Sequence, residues 1–214
     1  MSLTLHLHPL SSFCHKVLIA LYENGTPFTP HNVDLGEEKS RTAFKALWPI
    51  GKFPVLRDGD RVIPESTVIV DYLNQHYPGP VKLIPDAPDA AREVRALDRF
   101  YDLYVHMQMQ KVVGDRLRPA DQRDPYGVAQ ARATIDTALG LREQDLASRR
   151  WAAGKEFTLA DCAAAPTLFY VDMVVRPLAE RFPNLTAYLG RVKERPSYAR
   201  ALEEAKPYLH MVPR

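Results

Sequence analysis

The stretch LTLHLHPLSSFCHKVLIALYEN, from Leu3 to Asn24, changes its hydrophobic period part-way along. Leu3, Leu5 and Leu7 alternate as in a half-buried strand, whereas Phe13, Val17, Leu18 and Leu21 fall at helical spacing. Pro9 ends the strand because it cannot donate to a sheet ladder. The stretch therefore predicts strand, turn and helix, with Ser11, Ser12 and Cys14 at the helix start. A helix N-terminus has unpaired N–H groups and a partial positive charge, so it favours an anion there. The chemistry of the chain is expected at that corner.

Outward from it, Glu23-Asn24-Gly25 is a helix stop and Phe28 to Val33 a second strand. Glu37 to Leu47 predicts a short, irregular helix, followed by a turn at Trp48-Pro49-Ile50-Gly51. Phe53-Pro54-Val55-Leu56 and Arg61-Val62-Ile63 flank Asp58-Gly59, a strong hairpin signal. Ser66 then opens a helix that runs through Tyr77. The order βαβ, short helix, ββα closes a four-stranded mixed sheet whose first crossover is right-handed. Pro54, just before a strand, is a candidate cis peptide, since X–Pro bonds alone have a small cis penalty.

Past Tyr77-Pro78-Gly79-Pro80 strand signals vanish. A proline-studded linker over 79–88 separates residues 1–78, an α/β domain, from an all-helical domain over 89–214. Its predicted helices are Ala90 to Arg118, interrupted only by Gly114, then Pro125 to about Ser148, Leu159 to about Val175, Asn184 to Arg195, and Pro196 to Ala205. Thr158 as N-cap and Asp161 three residues on form a capping-box variant, a structural device that opens the alanine-rich helix carrying Cys162.

At 214 residues the chain suits one large or two small domains. Its 46% hydrophobic content supports a sizeable core, and a net charge of only +2 gives no case for nucleic acid or an anionic membrane. No apolar run approaches a membrane span. Met1 leads straight into the first strand, so no signal peptide is expected. Cys14 and Cys162 lie in opposite halves and make no disulfide framework, which points to a reducing cytoplasm. Gly-x-Gly-x-x-Gly, P-loop and His-Glu-x-x-His patterns are absent. His6 and His8 share a strand face but lack the third ligand of a catalytic zinc site, so they are expected as ordinary strand polar positions, and no metal is expected.

Ser11-Ser12-Phe13-Cys14 after a strand, Phe53-Pro54-Val55, and Glu65-Ser66 opening a helix resemble, in this order, the thioredoxin-fold domain of a cytosolic glutathione transferase, of the bacterial, serine-type, theta/delta/zeta-like kind. The first segment occupies the place of the glutaredoxin Cys-x-x-Cys, Pro54 that of the family's cis-proline, and Glu65-Ser66 that of its glutathione-binding acid–serine pair. The resemblance extends over essentially the whole chain. It implies a thioredoxin-like βαβαββα domain with a C-terminal helical bundle, glutathione as co-substrate, a small electrophile as second substrate, and a homodimer.

A thiol of ordinary pKa, about 8.5 for cysteine, is mostly protonated at neutral pH. A hydroxyl donor at a helix N-terminus stabilises the thiolate through a hydrogen bond added to the dipole. By the resemblance Ser11 is the expected thiolate stabiliser, with Ser12 second, although serine at a helix start is most often a plain N-cap. Cys14 sits where a resolving thiol would lie. With serine at the first position no attacking thiolate exists, so core packing is its expected role, as it is for Cys162. The backbone of Val55, next to Phe53 and Pro54, should pair with the cysteinyl unit of glutathione. Glu65 should meet its γ-glutamyl ammonium, and Ser66 with the helix N-terminus the adjoining carboxylate. Lys39 or Lys52 could meet the glycyl carboxylate.

The second substrate is expected against Tyr101, Tyr104, Gln108 and Lys111 on the long helix and Tyr170 and Met173 on the buried one, a mixed wall suited to an apolar electrophile or a peroxide. Zeta-like isomerases have Ser-Ser-Cys at the corner, which Phe13 breaks, and Met173 stands where their substrate arginine falls, with Arg176 nearby. Trp48 stands where many relatives have asparagine. Maleylacetoacetate-type isomerisation, a non-catalytic transferase-like binding module, and thiol–disulfide reduction through Cys14 are the alternatives.

Overall fold

The computed structural model describes residues 3–213; Met1 and Ser2, on which the reading of a missing signal peptide rests, lie outside the described residues, as does Arg214. The first half runs β1 (Leu3–Leu7), α1 (Ser12–Glu23), β2 (Phe28–Asn32), α2 (Glu38–Leu47), β3 (Val55–Asp58), β4 (Arg61–Pro64) and α3 (Ser66–His76). Its sheet has the order β2-β1-β3-β4. β1 is parallel to β2 with Leu5 opposite Pro30, and antiparallel to β3 with Leu5 opposite Leu56. The alternation of β1 is realised residue by residue, with Leu3, Leu5 and Leu7 buried and Thr4 and His6 only partly so.

Two turns fix the ends of these elements. Gly25, past the C-cap Asn24, takes φ +58°, which a residue without Cβ adopts freely. The hairpin loop is Gly59-Asp60, one residue later than the sequence signal, because Asp58 pairs with Arg61 and stays in the strand. Its carboxylate accepts from the hydroxyls of Tyr72 at 2.8 Å and Tyr77 at 2.6 Å. The peptide Phe53–Pro54 is cis, and β3 begins at the next residue.

The second half is helical: α4 (Pro88–Phe100), a π-helical segment (Tyr101–His106), α5 (Met107–Arg116), α6 (Pro125–Leu146), α7 (Leu159–Val174), α8 (Pro183–Glu194) and α9 (Pro196–Ala205), then a 3₁₀ segment (Lys206–Met211). The expected interruption of the long helix at Gly114 is corrected: Gly114 lies within α5, and the irregular stretch is the π segment. No described helix is long and apolar enough to cross a membrane.

α1 lies between the sheet and the helical half, packing on α3, α7 and α9. Its Lys16 crosses into the helical half and is 1% exposed. The ammonium donates to Asp98 at 2.7 Å and to Asp102 at 2.8 Å, and Thr67 of α3 donates to Asp98 at 2.8 Å. Removing one partner of a buried ion pair costs about 3–5 kcal/mol, so this cluster ties α1 to the end of α4 and the π segment, and the start of α3 to α4. Nothing in the helical periodicity around Lys16 announced it.

Candidate active site

α1 begins at Ser12 because Ser11 caps it: its backbone is extended (φ −75°, ψ 118°) and its Oγ accepts from the Cys14 N–H at 3.3 Å. Capping uses a lone pair and leaves the hydroxyl proton available, and among the described residues the Ser11 hydroxyl has no acceptor. Ser12 is buried, with its Oγ 3.2 Å from Nδ1 and 3.3 Å from Nε2 of His106. Both serines line a cavity of about 330 Å³ between the two halves of the chain.

That cavity is walled by His8, Phe13 and Phe53 from the sheet half and by Met109, Gln110, Val113, Tyr170 and Val174 from the helices. Met211, Val212 and Pro213 close one side. Arg116 holds this tail by donating to the carbonyls of Pro213 at 3.2 Å and Val174 at 2.6 Å. The lining is apolar apart from a few groups (His8, the two serines, Gln110 and Tyr170) and has no Lys or Arg among the described residues.

The expected substrate wall needs correcting on the long helix. Tyr101 is wholly buried in the core. Tyr104 is exposed and packs edge-on against Phe100, and the exposed Lys111 donates to the half-buried Gln108 at 3.0 Å. The spacing of these four assumed a uniform α-helix, whereas a π turn takes an extra residue and rotates the side chains beyond it. Met109, Gln110 and Val113 therefore face the cavity instead. On α7, Tyr170 lies in the lining, whereas Met173 is half-buried against the core and outside it.

The polar anchors fall on the sheet side. Pro54 and Val55 are buried, with Phe53 in the cavity wall. Glu65 has φ +68°, a conformation that favours glycine, so its exposed side chain is held by a strained backbone at the start of α3. Ser66, the first residue of α3, is buried. Lys39 and Lys52 are both exposed, Lys39 in the first turn of α2 beside Glu38 and Lys52 next to Phe53.

The titratable groups around α1 are shifted against charge. Burial pushes the Cys14 thiol up to about 12, and the side chain is fully enclosed, which leaves it no role as an attacking thiolate. Burial, with the nearby Lys16 cation, pushes His106 down to about 3. His15, also buried, is lowered to about 4, and its Nε2 lies 2.6 Å from the Pro9 carbonyl. His8 falls beyond the end of β1 and reaches the cavity, where it stacks near Phe53; it is not a plain strand position. Its signal was the His6/His8 alternation. His106, Gln110 and the tail left no sequence signal.

A four-stranded mixed sheet with a cis-proline before β3 and a capped helix start at the cavity defines a thioredoxin-like domain joined to a helical one. Residues 5–81 match the family model described as glutathione S-transferase, N-terminal domain, and residues 125–191 the one described as glutathione S-transferase, C-terminal domain. The chain belongs to the glutathione S-transferase family of enzymes. It is 32% identical to a maleylpyruvate isomerase of Ralstonia sp over 78% of this chain and 84% of that protein. To human glutathione S-transferase theta-2 it is 30% identical, over 90% and 81%. A glutathione S-transferase from Methylobacillus flagellatus KT, solved with glutathione bound, superposes with a TM-score of 0.88 at 26% identity, covering 94% of this chain and 98% of that one.

Proposed function

We propose that the protein conjugates glutathione to a small, apolar electrophile, or uses it to reduce a peroxide, with the Ser11 hydroxyl donating to the glutathione thiolate. The observation that carries this is the Ser11 hydroxyl: its oxygen is engaged by the helix cap while its proton stays available at the edge of an apolar cavity. The α1 dipole adds to the same preference for an anion. Val55, Glu65 and Ser66 would hold the tripeptide, with Lys39 or Lys52 at its glycyl end. The strained Glu65 backbone and the bound glutathione of the Methylobacillus relative support that placement. Ser11→Ala should lower turnover of a chlorinated nitrobenzene or a hydroperoxide by at least about tenfold, with glutathione affinity largely kept. Unchanged turnover would remove Ser11 from the mechanism.

Similarity to the Ralstonia enzyme favours a second reading, glutathione-dependent isomerisation of an unsaturated dicarboxylate. Such a substrate needs cationic partners. Arg176 is not in the lining and pairs with Asp136 at 3.2 Å, and the lining supplies no Lys or Arg among the described residues. Conjugation is therefore favoured, and assays with maleylpyruvate and maleylacetoacetate separate the two.

A role in detoxification, a cytoplasmic location and a homodimer belong to the same proposal. Exposed Val62 on β4, Val68 on α3, and Leu103, Tyr104 and Met107 on the long helix support association, which light scattering would measure. The division into residues 1–78, a linker over 79–88 and residues 89–214 also belongs to it, supported by the family matches at 5–81 and 125–191.

A further inference from the structure

We propose that His8 is a further catalytic residue: the Nε2–H of its imidazole donates a hydrogen bond to an oxygen of the second substrate on which negative charge develops. The electrophiles this selects are nitroarenes and unsaturated ketones, in which the attacked carbon is conjugated to such an oxygen. The inference rests on the glutathione reading above and assigns the electrophile end of the same cavity.

The turn that delivers Ser11 also delivers His8. The Ser11 N–H donates to the His8 carbonyl at 2.9 Å, and Pro9 presets the second position of that turn. Inside it, the Leu10 N–H donates to Nδ1 of His8 at 3.2 Å. That nitrogen is therefore the acceptor, and the proton of the neutral ring sits on Nε2. A second proton, on Nδ1, would face the Leu10 N–H, so the turn opposes protonation. Burial acts in the same direction and lowers His8 below its ordinary value, with the Asp34 carboxylate partly opposing it. At neutral pH Nε2 is a donor without a charge.

Nε2 has no partner among the described residues and is not sealed from solvent. His8 lines the cavity that holds Ser11, whereas the cleft behind Pro9 and Tyr208 takes no part of it, so the open side of the ring faces the cavity. Phe53 lies along one face, with centroids 5.9 Å and planes 21° apart, and Tyr208 of the tail packs edge-on at 5.3 Å. The ring is thus fixed between the residue before Pro54 and the tail. Tyr170, also in the lining, has its hydroxyl sealed from solvent, and the lining has no Lys or Arg among the described residues. Sulfur held at Ser11 forms the C–S bond to the electrophilic carbon, and the displaced electron pair moves onto the nitro or carbonyl oxygen. Donation from Nε2 stabilises that oxyanion while the imidazole keeps its proton. A chlorinated nitroarene adduct then expels chloride, whereas an enolate takes a proton at carbon from water.

The test compares electrophiles. Benzyl chloride serves as the reference, because its charge departs on chloride and reaches no oxygen. In His8→Phe, kcat/KM for a chlorinated nitrobenzene or an unsaturated ketone, taken relative to that for benzyl chloride, should fall about tenfold. His8→Gln, whose amide nitrogen reaches the place of Nε2, should restore most of that ratio. The thiol pKa of bound glutathione, read from the ultraviolet absorbance of the thiolate, should follow Ser11→Ala and not His8→Phe. Should His8→Phe not fold, His8→Leu carries the same comparison. An unchanged ratio, or one that falls as far in His8→Gln as in His8→Phe, overturns the proposal and leaves Ser11 standing. A thiol pKa that moves with His8→Phe places His8 at the sulfur and overturns it too. If the unaltered protein conjugates none of the three electrophiles, the glutathione reading falls and this proposal with it.

Discussion

Two helix starts in this chain are built from the same kind of residue and end in opposite conditions. At α7, Asp161 receives four donors: the Ala152 N–H at 2.8 Å, the Tyr188 hydroxyl at 2.7 Å, and the N–H and hydroxyl of Thr158 at 2.9 and 3.2 Å. Thr158 and Asp161 are buried, and no capacity is left over. At α1, Ser11 makes one bond of 3.3 Å through its oxygen and borders a cavity. Buried polar groups are normally satisfied, so a completed cap reports on folding. A cap with an uncommitted proton at a cavity wall is where a ligand can be recognised. Position in the fold, and not residue type, separates the two.

The largest effect should come from breaking the completed cap. Asp161→Ala strands the Ala152 and Thr158 N–H groups and the Tyr188 hydroxyl, and each buried donor left unmade costs about 1–3 kcal/mol. A stability loss above about 3 kcal/mol is expected from urea midpoints, enough to threaten the fold of a domain of ordinary stability.

A matched pair of smaller changes sharpens the contrast. Thr158→Ala and Ser11→Ala should each cost about 1 kcal/mol of stability as lost caps. Only Ser11→Ala should lower turnover; equal activity in the two would erase the distinction.

The α1 corner should also mark its presence in the acid limb of stability. His106 and His15 are held neutral in the folded protein down to about 3 and about 4, whereas an unfolded imidazole takes its proton near about 6.5. Between those values the unfolded state binds protons that the folded state does not, so stability falls as pH falls from about 6.5 toward about 4. Each imidazole contributes up to about 1.4 kcal/mol per pH unit in that window. Denaturant unfolding of His15→Asn across it should show a shallower fall; an unchanged slope would mean His15 is charged when folded.

Cys14→Ala should do least. It removes one buried sulfur, at a cost of about 1 kcal/mol, and should leave turnover intact. In the native protein the thiol should resist disulfide reagents until unfolding exposes it. Prompt labelling would contradict its burial and reopen thiol–disulfide chemistry at this helix.

Local chemistry was legible wherever one segment decides its own conformation. The change of period between Leu7 and Phe13 gave β1 and α1, and the Thr158/Asp161 spacing gave the start of α7. Ser11 as a cap followed from the same logic, since a side chain and its own helix start are neighbours in any fold. The wall over Tyr101, Tyr104, Gln108 and Lys111 does not coincide with the cavity lining, for a reason periodicity cannot contain. The π segment Tyr101–His106 is where Tyr101 enters the core, Asp102 meets Lys16 and His106 meets Ser12.

By itself, then, the sequence determined the strand–turn–helix opening, the mixed sheet, the helical second half and the hydroxyls at the head of α1. Each of these depends on alternation, caps and turns within reach along the chain. Only the tertiary structure decided which hydroxyl cap stays open, which face of the long helix meets the cavity, and that the His106 ring lies against Ser12. Those facts depend on contacts between residues 94 and more positions apart, where burial and hydrogen-bond geometry, and not local pattern, set the outcome.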